Sequence, residues 1–251
     1  SLSPLAQRLV GFATLVPIIA LIWFDAKIAS LVVWLAFILM GIEFSRLVDL
    51  TKPITFLMVV LFAFVGMPLW FMVIDAQIML VVIAGAMIVL VWQKSFPIAA
   101  FVGLTMLCGV SAQVIINSQN GQNMLLAVCA VVAACDIAAY FVGRRIGGPK
   151  LAPLISPNKT ISGSIGSFIF SSLLIPFFYK VQIDQTLVNL FLITIIISLT
   201  SQLGDLFISF LKRKAKVKDT SDLLPGHGGV LDRIDGIIFA IPLGIFLFIV
   251  I

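Results

Sequence analysis

Between Ser209 and Asp235 the chain carries six Lys/Arg, four Asp, its only His and three Gly within 27 residues, in a sequence otherwise dominated by hydrocarbon side chains. That mixture suits phosphoryl chemistry: cations hold phosphate oxygens, carboxylates hold a hard metal ion, and glycines let the backbone approach a ligand. Asp136 and Asp205 lie inside apolar stretches, where an ionised carboxylate is costly unless it is paired or metal-bound. Asp232 and Asp235 are three residues apart at the start of another apolar run, so they share one side of a helix and meet the positive end of its dipole. Four carboxylates from three helices can therefore converge. An oxygen set of that kind, without Cys or clustered His, suits Mg²⁺ bound partly through substrate phosphates. The alternative for each acid is a structural ion pair with a neighbouring Lys or Arg, a reading to which Asp219 and Asp222, in a basic loop, are more open than Asp136 and Asp205. Glu43, three residues before Arg46, reads as a cap or as that arginine's partner.

A second polar stretch runs from Gly143 to Gly166, with Arg144, Arg145, Lys150 and Lys159 among glycines, prolines and hydroxyl residues. Its composition predicts a helix-breaking loop that offers backbone N–H groups and cations to anions; contact with anionic lipid headgroups is the plainer reading. It is not a Walker A loop, and no dinucleotide fingerprint occurs. His227, in Pro-Gly-His-Gly-Gly, fits ligand binding or loop structure better than general-base catalysis. The flanking Gly226, Gly228 and Gly229 permit left-handed backbone.

The elements that must position these groups are membrane helices. Of 251 residues, 61% are hydrophobic and 11% charged, and the mean hydropathy is +1.21, which excludes an ordinary soluble domain. A bilayer core of ~30 Å takes about 20 helical residues. Nine such runs are readable, at about 9–24, 28–45, 54–74, 76–93, 97–116, 123–143, 164–180, 187–211 and 235–251. None shows the alternation of a barrel strand. The expected fold is an all-α, polytopic membrane protein, with N-terminal helices over 1–116 and a catalytic half over 117–251. The first run is followed by no cleavage site, so no signal peptide is expected. Cys108, Cys129 and Cys135 lie in apolar helices and read as small buried hydrophobes.

With nine spans, of the 16 Lys/Arg only Lys27 and Lys180 fall on one face. The positive-inside rule then puts the N-terminus in the cytoplasm, the C-terminus outside, and the polar segments 144–163 and 212–234 together on the cytoplasmic side. The net charge of +5 thus signals topology rather than nucleic-acid binding. At 1.5 Å per residue, Asp136 and Asp205 lie about 10 and about 9 Å below the cytoplasmic ends of the sixth and eighth spans, at similar depth.

The run from Ser209 to Asp235 resembles the signature of the CDP-diacylglycerol synthases, or phosphatidate cytidylyltransferases. Ser209, Lys212-Arg213, Lys218-Asp219, Ser221, Leu224-Pro225, His227-Gly228-Gly229 and Asp232-Arg233-Ile234-Asp235 stand where that pattern wants them. Asp136-Ile137-Ala138-Ala139-Tyr140-Phe141-Val142-Gly143-Arg144 is similar to the family's D-x-x-A-Y-x-x-G-R, and Ser156-Pro157-Asn158-Lys159-Thr160 to its S-P-x-K-T. The latter departs from the family after Ile161, where Ser162 stands in place of Glu. The resemblance covers about 136–235; residues 1–116 match only as an apolar helical bundle.

The resemblance implies transfer of a cytidylyl group from CTP to phosphatidic acid, giving CDP-diacylglycerol and pyrophosphate. It implies Asp205, Asp232 and Asp235 as metal ligands with Asp136 as a fourth, and Mg²⁺ as cofactor, with a second ion as an option. Lys159, Lys212, Arg213, Lys218 and Arg233 would hold phosphates, with Lys159 and Lys212 closest to the reaction, and Arg144 would receive the lipid headgroup. Ser156, Thr160, Asp219, His227, Gly228 and Gly229 complete the substrate-binding set. The implied partners are CTP, phosphatidic acid and the bilayer, with no nucleic acid and a homodimer left open. The implied location is the cell membrane, a bacterial inner membrane, with the site facing the cytoplasm.

Three rivals are weaker. Asp232 to Ala240 echoes the opening of the CDP-alcohol phosphotransferases, but Ile241 follows where that family has Arg, and no second pair of acids comes after it. A transporter would use Asp136 and Asp205 as coupling sites near the midplane, yet no internal repeat accompanies them. A purely structural scaffold leaves the 27-residue polar cluster without a purpose.

Overall fold

The computed structural model describes residue 23 and residues 25–49, 52–68, 96–180, 186–221 and 228–250. The expected spans 76–93 and nearly all of 9–24 lie outside the described residues, as does His227. The described chain is helical apart from one small hairpin, and it divides into two compact units: residues 1–117 with 219–233, and residues 118–218 with 234–251. Four of its helices, Ala26–Leu47, Phe96–Ile116, Gly121–Ile146 and Leu187–Lys214, are long and apolar enough to cross a membrane.

In the first unit, α1 (Ala26–Leu47) and α3 (Phe96–Ile116) follow the hydropathy runs closely, whereas α2 (Lys52–Val65) stops well short of the end of the expected span 54–74. Asp25 caps α1, its carboxylate accepting from the N–H groups of Lys27 and Ile28 at 2.6 and 3.3 Å, which satisfies donors that a first helical turn leaves unpaired. Phe44, Phe62 and Phe101 form a fully buried aromatic core, with the Phe44 and Phe101 rings 4.4 Å apart. Gln113 ties the three helices together by donating to the carbonyls of Ser30 and Gly66 at 3.1 and 2.6 Å.

The second unit contains α4 (Gly121–Ile146), a hairpin of β1 (Lys150–Ala152) and β2 (Ser156–Thr160), α5 (Ile161–Ser172), α6 (Ile175–Lys180), α7 (Leu187–Lys214) and the greater part of α8 (Leu231–Val250). Two expectations need correction. The polar stretch after α4 is an antiparallel hairpin rather than an open loop, with Lys150 opposite Thr160 and Ala152 opposite Ser156. Pro153 sits in its turn and Pro157 in a strand of a two-stranded ribbon, where a missing N–H is tolerated at an edge. The expected span 164–180 is two helices. The N–H groups of Leu173 and Leu174 bond back three residues, to Phe170 and Ser171, and Pro176 opens the next helix, because proline cannot continue a helix through its own position. The 12 residues of α5 rise only about 18 Å.

Small residues set the spacing of the second unit. A Cβ on Gly163 would lie 2.7 Å from the Ala139 carbonyl, and one on Gly166 would lie 2.7 to 2.9 Å from three side-chain atoms of Val142, so α4 and α5 cross with their backbones close, as small residues allow in membrane helices. A second close crossing joins α7 to α8, where Cβ atoms on Gly204 and Gly236 would strike the Asp235 carbonyl at 2.6 Å and the Ser201 hydroxyl at 2.5 Å. Val142 is β-branched and stiff. Gly166→Ala is therefore expected to cost about 1–3 kcal/mol, read as a lower thermal midpoint in detergent; an unchanged midpoint would contradict the close α4–α5 crossing.

Candidate active site

The second unit holds a cavity of about 330 Å³ lined by Asp136 of α4, Ser156, Asn158, Lys159 and Thr160 of β2, and Asp205 of α7, among others. Each side chain arrives there for a local reason. Asp136 and Tyr140 stand one turn apart on α4, hence on one face. Thr160 ends β2 and caps α5, its hydroxyl accepting from the Gly163 N–H at 3.1 Å. The base of the hairpin is closed by the Ile161 N–H donating to the Pro149 carbonyl at 3.0 Å. Lys159 is thereby mounted on a strand fixed at its end, and its ammonium pairs with the Asp205 carboxylate; the two side chains are 23% and 26% exposed. Ser209, one turn along α7, donates to the other Asp205 oxygen at 3.3 Å.

Asp235 sits at the Gly204–Gly236 crossing, where its carboxylate accepts from the Gly236 N–H at 2.8 Å. Lys212 is buried near the end of α7. Arg213 donates from Nε to the Ile155 carbonyl at 3.3 Å and from Nη1 to the Val217 carbonyl at 3.0 Å, so in this structure it braces the hairpin turn against the end of α7. Lys218 is exposed beyond that helix. Arg144 lies outside the cavity, in a shallow depression of about 440 Å³ with Tyr140, Phe141 and Arg145; its Nη1 donates to the Tyr140 hydroxyl at 2.7 Å.

Ser162, where the family pattern breaks, donates to the Gly147 carbonyl and lies 3.1 Å from the Thr160 hydroxyl. It fastens the start of α5 to the segment that leaves α4. Sequence reasoning also passed over Gln202 and Ser164, which line the cavity and bond to one another. The signal for Gln202 was present: it precedes Asp205 by three residues and so shares its helix face.

The first unit carries the remaining expected residues except His227, which lies outside the described residues. Asp232 Oδ2 accepts from the Thr220 N–H at 2.8 Å, the Thr220 hydroxyl at 2.9 Å and the Gly229 N–H at 2.9 Å. Gly228 has φ +78°, a left-handed conformation, and a Cβ there would stand 2.9 Å from the same carboxylate oxygen. Asp219 and Arg233 are exposed. Glu43 proves to be the centre of this arrangement. It is 0% exposed, and it accepts from the Ser221 hydroxyl at 2.6 Å, the Val230 N–H at 2.9 Å, the Leu231 N–H at 2.8 Å and the Thr220 hydroxyl at 3.3 Å. Of the two expected readings, a cap or a partner for Arg46, the structure shows a cap, on a different helix: the Val230 and Leu231 donors belong to the start of α8, where an anion is favoured.

Asp136, Ser156, Lys159, Thr160 and Asp205 thus share one cavity although they come from three separated stretches of sequence. A sequence model of the cytidylyltransferase family matches residues 6–251. The chain belongs to the cytidylyltransferase family. Among curated proteins, this cytidylyltransferase chain is 36% identical over 203 residues to the phosphatidate cytidylyltransferase of Rickettsia bellii, covering 78% of the chain and 80% of that protein. It is 44% identical over 130 residues to that of Bacillus subtilis, covering 51% of the chain and 48% of that protein. It is 46% identical over 126 residues to that of Staphylococcus haemolyticus, covering 49% and 48%. The chain therefore spans about half the length of the Bacillus and Staphylococcus relatives and four-fifths of the Rickettsia one.

The residues of this cytidylyltransferase chain can be tested against a hard cation. Among the described residues, no three acidic, His or Cys side chains stand close enough as they are to hold a metal ion; the cation against Asp205 is the Lys159 ammonium. The donor set nevertheless suits Mg²⁺, since Asp136 and Asp205 line one cavity and, like Asp235, supply only oxygen.

Proposed function

We propose that this chain transfers the cytidylyl group of CTP to phosphatidic acid, giving CDP-diacylglycerol and pyrophosphate. The observation that carries this reading is the cavity in which Lys159 and Asp205 face each other beside Asp136, Ser156 and Thr160. It belongs to a chain of the cytidylyltransferase family with a relative named phosphatidate cytidylyltransferase matched over most of both proteins. A phosphate oxygen of the lipid attacks the α-phosphorus of CTP; the new P–O–P bond forms as the bond to the β-phosphate breaks, and that electron pair leaves with pyrophosphate. Both reactants are polyanions, so the barrier is largely charge repulsion, and fixed cations lower it without a protein nucleophile.

Lys159, held on its strand with its ammonium against Asp205, would give up that contact to phosphate oxygens. Lys212 supplies a second, buried cation, Lys218 and Arg213 extend the positive surface toward the nucleotide phosphates, and Arg233 would hold phosphate as well. Arg144, stacked by its Tyr140 contact, takes the lipid headgroup, and Phe141 beside it, 65% exposed, meets the acyl region. Asp136, Asp205 and Asp235 would hold Mg²⁺. Asp232, one turn before Asp235 on α8, is a further ligand on that spacing alone. When bound, the ion supplies charge neutralisation at the transferring phosphoryl group.

The reading extends to nine membrane crossings, the seventh made by α5 and α6 in succession, with the N-terminus and the catalytic face in the cytoplasm, in the cell membrane, because the Lys/Arg asymmetry favours that orientation. Purified protein given Mg²⁺, CTP and phosphatidic acid is expected to release pyrophosphate and form a liponucleotide in equal amounts. Absence of both products across detergents and metal concentrations would overturn the assignment.

A further inference from the structure

Glu43 lies far in sequence from every motif that the reaction uses, yet it is the most completely buried acid among the described residues. Two hydroxyls and two backbone N–H groups, from Thr220, Ser221, Val230 and Leu231, surround its carboxylate. These donors belong to both ends of the polar cluster, one pair before residues 222–227 and one pair after. Thr220 carries the connection onward, because its N–H and hydroxyl also reach Asp232. A buried carboxylate with donors on both oxygens is a rigid node, since each bond lost would leave a desolvated polar group behind.

We infer that Glu43 is a positioning residue: by clamping Thr220–Ser221 to Val230–Leu231 it sets the conformation of the polar cluster and, through Thr220, the orientation of Asp232. The inference rests on the cytidylyltransferase reading for its consequence in turnover, but not for the clamp itself. Glu43 touches no substrate in this scheme; it acts through Asp232 and the cluster. The side chain must be a carboxylate of this length. Gln offers one acceptor oxygen and an amide that opposes the N–H donors, and Asp falls short by one methylene.

The test uses the full chain in detergent, with Glu43→Gln, the milder Ser221→Ala, and Arg46→Ala as a control outside the node. In Glu43→Gln, hydrogen exchange over 228–232 is expected to quicken while α3 stays protected, a local opening rather than global loss. Turnover is expected to fall about 10- to 100-fold. The Mg²⁺ concentration for half-maximal rate should rise, with saturating Mg²⁺ returning most of the rate. Ser221→Ala should move the same readouts less, and Arg46→Ala none of them. Unchanged exchange at 228–232 overturns the inference. So does exchange that quickens throughout α3, which would make Glu43 a support of the helical core alone, and so does a rate loss that Mg²⁺ leaves untouched. Failure of the wild-type protein to make liponucleotide would defeat the proposed activity instead, and the exchange arm would still decide the clamp.

Discussion

Asp205→Asn is expected to lower the rate of pyrophosphate release about 10²- to 10³-fold while leaving the thermal midpoint of the protein nearly unchanged. The substitution conserves volume, so the packing of α7 is undisturbed. It removes the charge that holds the Lys159 ammonium, in a cavity enclosed enough for that charge to matter. Losing one preorganised electrostatic group of a reaction site typically costs that much. Lys159→Met should fall in the same range, and the double variant should be little worse than either single one, because residues acting as a unit are not additive. Ser209→Ala, which deletes only the longer bond to Asp205, should cost no more than severalfold. A steady-state rate for Asp205→Asn within threefold of wild type would remove Asp205 from the reaction.

Gly229→Ala should be the most damaging single methyl in the first unit. A Cβ there would stand 2.1 Å from the Thr220 hydroxyl and 2.6 and 2.7 Å from the two Glu43 oxygens. Neither group can retreat without breaking bonds, since Thr220 also serves Asp232 and Glu43 serves the start of α8. Overpacking and the unsatisfied donors together are expected to cost about 3 kcal/mol or more. For a chain of this size that is a fall of about 6–12 °C in thermal midpoint, with turnover reduced alongside. Thr220→Ala in the same chain should recover part of the midpoint by removing the nearest obstacle. A Gly229→Ala protein with wild-type midpoint and rate would show that the node is looser than its distances indicate.

Much of this was open to reading before any coordinates. The apolar runs at 28–45, 97–116, 123–143 and 187–211 became helices because membrane helices leave a long, nearly uninterrupted record of hydrocarbon. Asp136 and Asp205 stood out for a similar reason: acids are rare in such runs, so their presence is informative. The hairpin was missed because its strands are three and five residues long, contain prolines, and lack the alternation that marks a half-buried strand. The break at Leu173–Leu174 hid within continuous hydrophobicity; only Pro176 hinted at it. Gln202 could have been found from its helix face. Glu43 could not, because its partners lie 177 to 188 residues away and local spacing pointed instead to Arg46.

That separation bears on the order in which the protein is assembled. Glu43 is synthesised 177 to 188 residues ahead of the groups that satisfy it. Until then the first helices contain an acid with no settled partners. Contacts this distant are late and slow to form, since the chain between them must first be ordered. The first unit is therefore completed by a segment, 219–233, that follows most of the second unit in sequence. A chain ended before Thr220 would strand its carboxylate in the apolar interior and so expose the defect to quality control.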